Sequence, residues 1–205
     1  MSLLVGITGG MGSGKTLAAS IFHELGAHIL DADVICRKLV EPGQPALKEI
    51  SECFGKSIID EFGNLDRKKL AQLIFYDPKK KNDLENILHP RVFEFENLEY
   101  KNISQKHPKA LVMIDAALLI ESGNYKKMDK VIVVKASKKT QIERVLAQSG
   151  WSYNEVVARI NNQMPITEKI KYADFVLDNS LDKASLRKKV KDLHIKLSFF
   201  AAKND

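Results

Sequence analysis

The sequence predicts an α/β protein: helices flanking a doubly wound, five-stranded parallel sheet, with one helical insertion and a helical lid. Three observations predict this. A glycine-rich stretch, Gly9-Gly10-Met11-Gly12-Ser13-Gly14-Lys15-Thr16, stands between an apolar strand and an amphipathic helix. Strand-like and helix-like segments alternate through the second half of the chain, the pattern of parallel sheets with crossover helices. Between these regions, from Val34 to about Lys109, no convincing strand occurs, and a βα crossover needs far fewer residues than that.

The first strand is the apolar run Leu3, Leu4, Val5 and Ile7. The glycine stretch fits G-x-x-x-x-G-K-[ST], the phosphate-binding loop of P-loop NTPase-type folds. Glycines let successive backbone N–H groups face one concavity, and the N-terminus of the next helix adds partial positive charge. Lys15 has the reach for the terminal phosphates of a nucleotide, and the Thr16 hydroxyl suits Mg²⁺. The helix that follows carries Leu17, Ala18, Ile21, Phe22 and Leu25 at helical spacing and stops at Gly26.

Ala27 to Leu30 reads as a second strand, ending in Asp31-Ala32-Asp33. Carboxylates beyond the C-terminal end of a strand lie where open α/β sheets bind ligands. If the strand continues that far, alternation turns Asp31 and Asp33 to one side. Either aspartate also suits the N-cap of the next helix, near Val34; Asp33 is the better candidate for catalysis. The insertion then reads as helices. One carries Ala46, Leu47, Ile50, Cys53 and Phe54 and ends at Gly55. Asp66 caps a second, with Leu70, Leu73 and Ile74. A third, with Leu84, Ile87 and Leu88, ends at His89-Pro90, and a fourth runs from about Arg91 towards Lys106. His89 is either a substrate-lobe residue or a packed helix-end histidine.

Leu111 to Ile114 is the third strand, and Asp115 at its end resembles the acid of a Walker B strand. Val131 to Val134 is the fourth, a β-branched run. Ser137 caps a helix with Ile142, Val145 and Leu146 on its inner face, ended by Gly150. Ser152-Tyr153-Asn154-Glu155 is a capping box opening another helix that ends near Pro165. This pair carries Arg144 and Arg159, and its place after a late strand suits a lid over a nucleotide. Each arginine reads either as a phosphate contact or as half of a surface ion pair. Phe175 to Leu177 is the fifth strand. A last helix, with Leu186, Val190, Leu193 and Leu197, covers one face of the sheet.

The 205 residues are 44% hydrophobic and 28% charged, which describes a soluble globular protein; the net charge of +6 suits an anionic partner, either nucleic acid or a polyphosphorylated small molecule, though most of the lysines read as solvated surface. Two cysteines, Cys36 and Cys53, make neither a zinc spacing nor a disulfide framework, so a reducing cytoplasm is expected. The N-terminus enters the first strand directly, without a basic region and apolar core, so secretion is not expected, and no apolar run approaches the roughly 20 residues of a membrane helix. Asn-Lys-x-Asp, which reads guanine, is absent, which counts against a GTPase. Nor are basic and aromatic residues interleaved as in single-strand nucleic-acid platforms. Another small-molecule P-loop kinase, such as a nucleoside monophosphate kinase, is the main alternative to the reading below.

Taken in order, these motifs resemble the dephospho-CoA kinase family over nearly the whole chain. The resemblance rests on Thr8 to Thr16, Leu25-Gly26-Ala27, Asp31-Ala32-Asp33, Phe54-Gly55, Gly63, Leu65-Asp66-Arg67 and Leu88-His89-Pro90. It continues in Leu118-Leu119 with Glu121, Gln141, Arg144, Gln163, Ala173-Asp174 and Asn179. It implies transfer of phosphate from ATP to the ribose 3′-hydroxyl of dephospho-CoA, with Mg²⁺ required. It implies a nucleotide-binding core of residues 1–32, 110–136 and 172–205, a CoA-binding insertion of 33–109, and a lid of 137–171. By matching position, Asp33 is the general base and Lys15 and Arg144 complete the catalytic set. Met11, Gly12, Ser13, Gly14, Lys15, Thr16 and Arg144 bind ATP, and Thr16 holds the metal. Asp33, Arg37, His89, Asp115 and Leu118 contact the acceptor. The expected partners are ATP and dephospho-CoA, with no nucleic acid or membrane, in a monomer or weak homo-oligomer. Two positions depart from the family pattern: Ala117 stands where it has proline, and Gln148 where it has a second lid arginine.

Overall fold

The computed structural model describes residues 2–75 and 77–203. The chain divides into two compact units, Met1–Leu30 with Tyr100–Asp205, and Asp31–Glu99.

The first unit is built on five strands: β1 (Leu3–Gly9), β2 (His28–Asp31), β3 (Leu111–Asp115), β4 (Lys130–Lys135) and β5 (Phe175–Asp178). Their order is β2-β3-β1-β4-β5. β1 pairs in parallel with both β3 and β4, with Ile7 opposite Asp115 on one side and Ile132 on the other. β4 pairs in parallel with β5, Val134 opposite Leu177. The central strand is therefore held on both edges up to Gly9, where the glycine loop begins.

Alternation sorts the side chains onto two faces. Val5, Ile7, Met113, Ile132, Val134 and Leu177 pack with α1 (Lys15–Glu24) and α9 (Lys183–Lys203), against Ile21, Phe22, Leu186, Val190 and Leu197. On the other face Ile114, Val131 and Val133 pack with Leu119, Ile120 and residues of α8 (Ile166–Ile170). Both faces are covered, which is why the strands read as continuous apolar runs. Gly6 of β1 has no room for a side chain: a Cβ there would lie 2.4 Å from a methyl of Leu119. α6 (Lys138–Gln148) and α7 (Tyr153–Asn161) complete this unit. Ser137 caps α6 by accepting from Thr140 N–H, and Ser152 with Glu155 forms the expected capping box on α7. α6 stops at Gln148, short of Gly150, and buries Gln141 and Val145; Ile142 and Leu146 are half-buried.

The second unit holds α2 (Ala32–Leu39), α3 (Pro45–Phe54), α4 (Arg67–Phe75) and most of α5 (Pro78–Lys106). It has a core of its own, from Val40, Ala46, Ile50, Ile58, Leu70 and Ile87. Its only strand-like feature among the described residues is an isolated bridge between Ile59 and Leu65. Asp66 caps α4 as expected, accepting from the N–H groups of Lys68 and Lys69.

Two expectations are corrected. β2 ends at Asp31, whose carboxylate accepts from the N–H groups of Asp33 (2.8 Å) and Val34 (3.0 Å) and starts α2. Asp33 is thus a first-turn helical residue, and strand alternation does not carry to it. The helices expected on either side of His89-Pro90 are one 29-residue helix with Pro90 inside it. Proline removes a hydrogen bond and crowds the preceding turn. Here burial of Ile87 and Val92 on either side favours continuity, and the Arg91 guanidinium donates to the Ile87 carbonyl at 2.6 Å. No helix of the described residues is long and apolar enough to cross a membrane.

Candidate functional site

The glycine loop leaves the sheet at Gly9 and delivers the chain to α1 at Lys15. Gly12 (φ +72°) and Gly14 (φ +88°) lie in the left-handed region that side chains avoid. The Ser13 N–H donates to the Gly10 carbonyl at 3.0 Å, closing the turn. Gly14 is the N-cap of α1 and supplies no side-chain cap, so the first amides of the helix serve the concavity of the loop.

Four polar side chains lie around the loop, and two of them, Asn179 and Gln163, hydrogen-bond to it. Asn179, just after β5, is buried; its Nδ2 donates to the Ser13 carbonyl at 2.8 Å. Gln163 accepts from the Met11 N–H at 2.8 Å. Gln141, buried on α6, leaves no space at Gly10, where a Cβ would lie 2.8 Å from its Nε2. Arg144, one turn further along α6, donates through Nη2 to the Asn179 carbonyl at 3.0 Å. Its Nη1 is buried without a hydrogen-bond partner among the described residues, as is Ser13 Oγ. That Nη1 would be 3.8 Å from a Cβ on Gly14. A buried guanidinium nitrogen without a partner, beside helix-terminal amides, is a donor set suited to an anion.

Inside the loop, the Lys15 ammonium is ion-paired with Asp115 at the end of β3, and Asp115 is 3% exposed. Register explains the meeting: Ile7 and Asp115 are paired residues, so β3 ends beside the strand that leads into the loop. Thr16 is exposed on the first turn of α1. Its hydroxyl and the Asp115 carboxylate are hard oxygen donors of the kind Mg²⁺ takes. No group of three or more histidines, cysteines or acids fit to hold a metal occurs among the described residues.

After Asp115 the chain turns through Ala116 to Ile120. The Ala117 carbonyl accepts from the Thr8 hydroxyl at 3.1 Å and from the Lys169 ammonium at 2.7 Å. Leu118 is exposed and Leu119 fully buried. A cleft of about 430 Å³ opens beside the loop, lined by Gly10, Lys138, Gln141, Gln163 and Ile166 among others.

The first unit thus brings together Met11 to Thr16, Asp115 and Arg144, with Leu118 on the turn beyond β3. Arg159 is engaged elsewhere: its guanidinium lies over the Trp151 ring, 4.0 Å from the centroid. Asp33, Arg37 and His89 belong to the second unit. Asp33 and Arg37 are exposed on α2, and the His89 ring stacks on Phe93 one turn along α5, centroids 5.7 Å apart. Cys36, beside them on α2, has its thiol pushed up to about 11. Burial is the main cause, followed by the negative charges of Asp33 and Glu96, against the lowering effect of Arg67.

Sequence reasoning gave Gln141, Gln163 and Asn179 no role of their own and passed over Lys169. The available signals were a glutamine one residue before Ile142 on the inner stripe of α6, and a lysine at the apolar spacing set by Ile166 and Ile170.

A dephospho-CoA kinase family model matches residues 3–184. A dephospho-CoA kinase of Aquifex aeolicus is 41% identical over 95% of this chain and 97% of its own length. One from Bacillus cereus is 41% identical over 87% of this chain and 89% of its own. Among solved structures, one from Thermus thermophilus superposes with a TM-score of 0.80 at 33% identity, covering 96% of this chain and 98% of that one. The dephospho-CoA kinase from Campylobacter jejuni gives 0.71 at 27% identity, covering 98% and 99%.

Proposed function

The chain belongs to the dephospho-CoA kinase family, and on that footing we propose that it transfers the terminal phosphoryl group of ATP to the ribose 3′-hydroxyl of dephospho-CoA, giving CoA and ADP. The observation that carries the reading is the phosphate cradle itself: glycine loop, α1 N-terminus, Lys15 and the unpartnered Arg144 Nη1 in one place.

Phosphoryl transfer asks the protein for alignment and charge neutralisation more than for covalent chemistry. The loop amides and Lys15 spread the charge on the β- and γ-phosphates. Lys15 reaches them by exchanging its Asp115 partner for phosphate oxygens. Arg144, steadied by the Asn179 carbonyl, adds a permanent charge on the α6 side. Asp33 accepts the proton of the attacking hydroxyl as the O–P bond forms and the bond to the ADP oxygen breaks. The Thr16 hydroxyl, with Asp115 nearby, would hold Mg²⁺, which would add to the neutralisation of the phosphate charge. In this reading residues 33–109 take up the CoA portion, with Arg37, His89 and Leu118 among its contacts, and residues 137–171 form the lid. The same reading places the enzyme in the cytoplasm, as a monomer or weak homo-oligomer with no nucleic-acid or membrane partner.

The deciding experiment is steady-state ADP release with dephospho-CoA and with nucleoside monophosphates as acceptors. Turnover with dephospho-CoA, with the product phosphorylated at the ribose 3′ position by ³¹P NMR, is expected. Turnover confined to a nucleoside monophosphate would overturn the proposal.

A further inference from the structure

Lys169 is a buried charge that the reaction as described does not use. It lies on the short helix α8, between the exposed Glu168 and the half-buried Ile170, and its own side chain is fully buried. The ammonium donates to the Ala117 carbonyl at 2.7 Å and pairs with Glu121, 2.9 Å from Oε1 and 3.1 Å from Oε2. Its neighbours in α8, Ile166 and Ile170, belong to the same apolar cluster as Leu119 and Ile120 of the turn.

Taking an ammonium out of water is costly, and a buried ion pair often recovers no more than that cost; well-packed apolar residues in its place are frequently as stable. Fold stability is therefore a weak reason for a lysine here. What a charge offers that a methyl group does not is direction. The Ala117 carbonyl is gripped from two sides, by Lys169 of α8 and by Thr8 of β1, one residue before the glycine loop. Leu119 is pressed onto the bare backbone of Gly6. Together these contacts fix the turn that follows Asp115 and leave Leu118 facing solvent. The same stretch of chain that ends in Lys169 contains Gln163, which holds the Met11 amide of the loop. One segment is thus tied to the phosphate loop at one end and to the turn after β3 at the other.

We propose that Lys169 is a positioning residue for the acceptor: through the Ala117 carbonyl it sets the path of the turn that presents Leu118 to dephospho-CoA. This rests on the function proposed above. It also gives a physical account of Ala117, since a carbonyl held by two donors has no need of a rigid ring at that position.

The test compares the full-length wild-type chain with Lys169→Met and with Lys169→Met/Glu121→Gln, which removes both charges. Thermal unfolding, direct titration with ATP, and steady-state kinetics with dephospho-CoA are measured on each. The double variant is expected to unfold near the wild-type temperature and to bind ATP within about twofold, while KM for dephospho-CoA rises about tenfold or more, within the roughly 10²-fold that misplacement by an ångström can cost. Wild-type KM values for both substrates in the double variant would overturn the proposal. So would equal losses for ATP and dephospho-CoA accompanied by a lowered unfolding temperature, which would make the pair merely structural. A wild-type chain that does not phosphorylate dephospho-CoA would overturn the functional reading itself, and this inference with it.

Discussion

Asn179 lies so close to Gly14 that a methyl group there would displace its amide: a Cβ on Gly14 would be 2.1 Å from Asn179 Nδ2. The same amide reaches the Ser13 carbonyl, and the Asn179 backbone carbonyl receives Arg144. One buried residue beyond β5 therefore links the loop to its arginine. Asn179→Ala is expected to raise KM for ATP about tenfold, since a lost hydrogen bond of about 1–1.5 kcal/mol corresponds to that factor. An unchanged ATP affinity by calorimetry would show that the loop keeps its shape without the clamp.

Asp33 carries the acid–base role in the proposed reaction. Asp33→Asn preserves the side chain's size and removes its basicity. ATP affinity is expected to stay near wild type while kcat falls by about 10² or more. Near-normal turnover would remove Asp33 from the mechanism.

Arg144 and Gln148 share a helix but differ in surroundings. Arg144 donates to carbonyls of Asn179 and Leu181, whereas Gln148 is an exposed last-turn residue. Arg144→Lys loses the planar fork and is expected to lower kcat/KM by about tenfold or more. Gln148→Arg is expected to alter nucleotide affinity by only a small factor. Complete loss of activity in that variant would contradict the placement of α6 against the nucleotide.

Asp178 closes β5 beside the clamp. Its carboxyl is held down at about 2, chiefly by the Ser180 hydroxyl and N–H, with Lys135 assisting at 3.2 Å. Its folded-state value lies below the ordinary 3.8, so its contribution to stability is complete above that range and is lost as pH falls from about 4 towards 2. The difference in urea midpoint between wild type and Asp178→Asn is expected to be constant near neutral pH and to shrink across that window. A difference that persists below it would mean that charge is not the cause.

Cys36 and Cys53 are expected to differ sharply as nucleophiles. With its thiol pushed up to about 11, Cys36 at pH 8 is roughly one part in a thousand thiolate. Cys53 is exposed. Mass spectrometry after brief iodoacetamide treatment should find the label on Cys53, and equal labelling would show that Cys36 is not sheltered in solution.

The sheet was legible because its signals are local. A strand, a glycine motif and a helix in sequence admit few arrangements, and β-branched runs such as Val131 to Val134 seldom fit elsewhere. The extent of the strands and helices was harder to read. Whether Asp31 continues β2 or caps α2 depends on two amide hydrogen bonds, and whether Pro90 breaks a helix depends on what Ile87 and Val92 bury. The least legible part was the packing around the loop. Asn179 is far from Ser13 in sequence, and so is Lys169 from Ala117. Their meeting follows from strand order, which no local pattern encodes.

β5 is short and lies at the margin of the sheet, where unpaired backbone groups are a template for a foreign strand. Its flanking acids are both engaged: Asp174 pairs with Lys130 and Asp178 with Lys135 of the neighbouring β4. An incoming chain would meet four charged side chains around a strand of only four residues. The outer face of β5 is thus a poor seed for aggregation, even though Val176 is exposed there; removing those charges would take away what guards it.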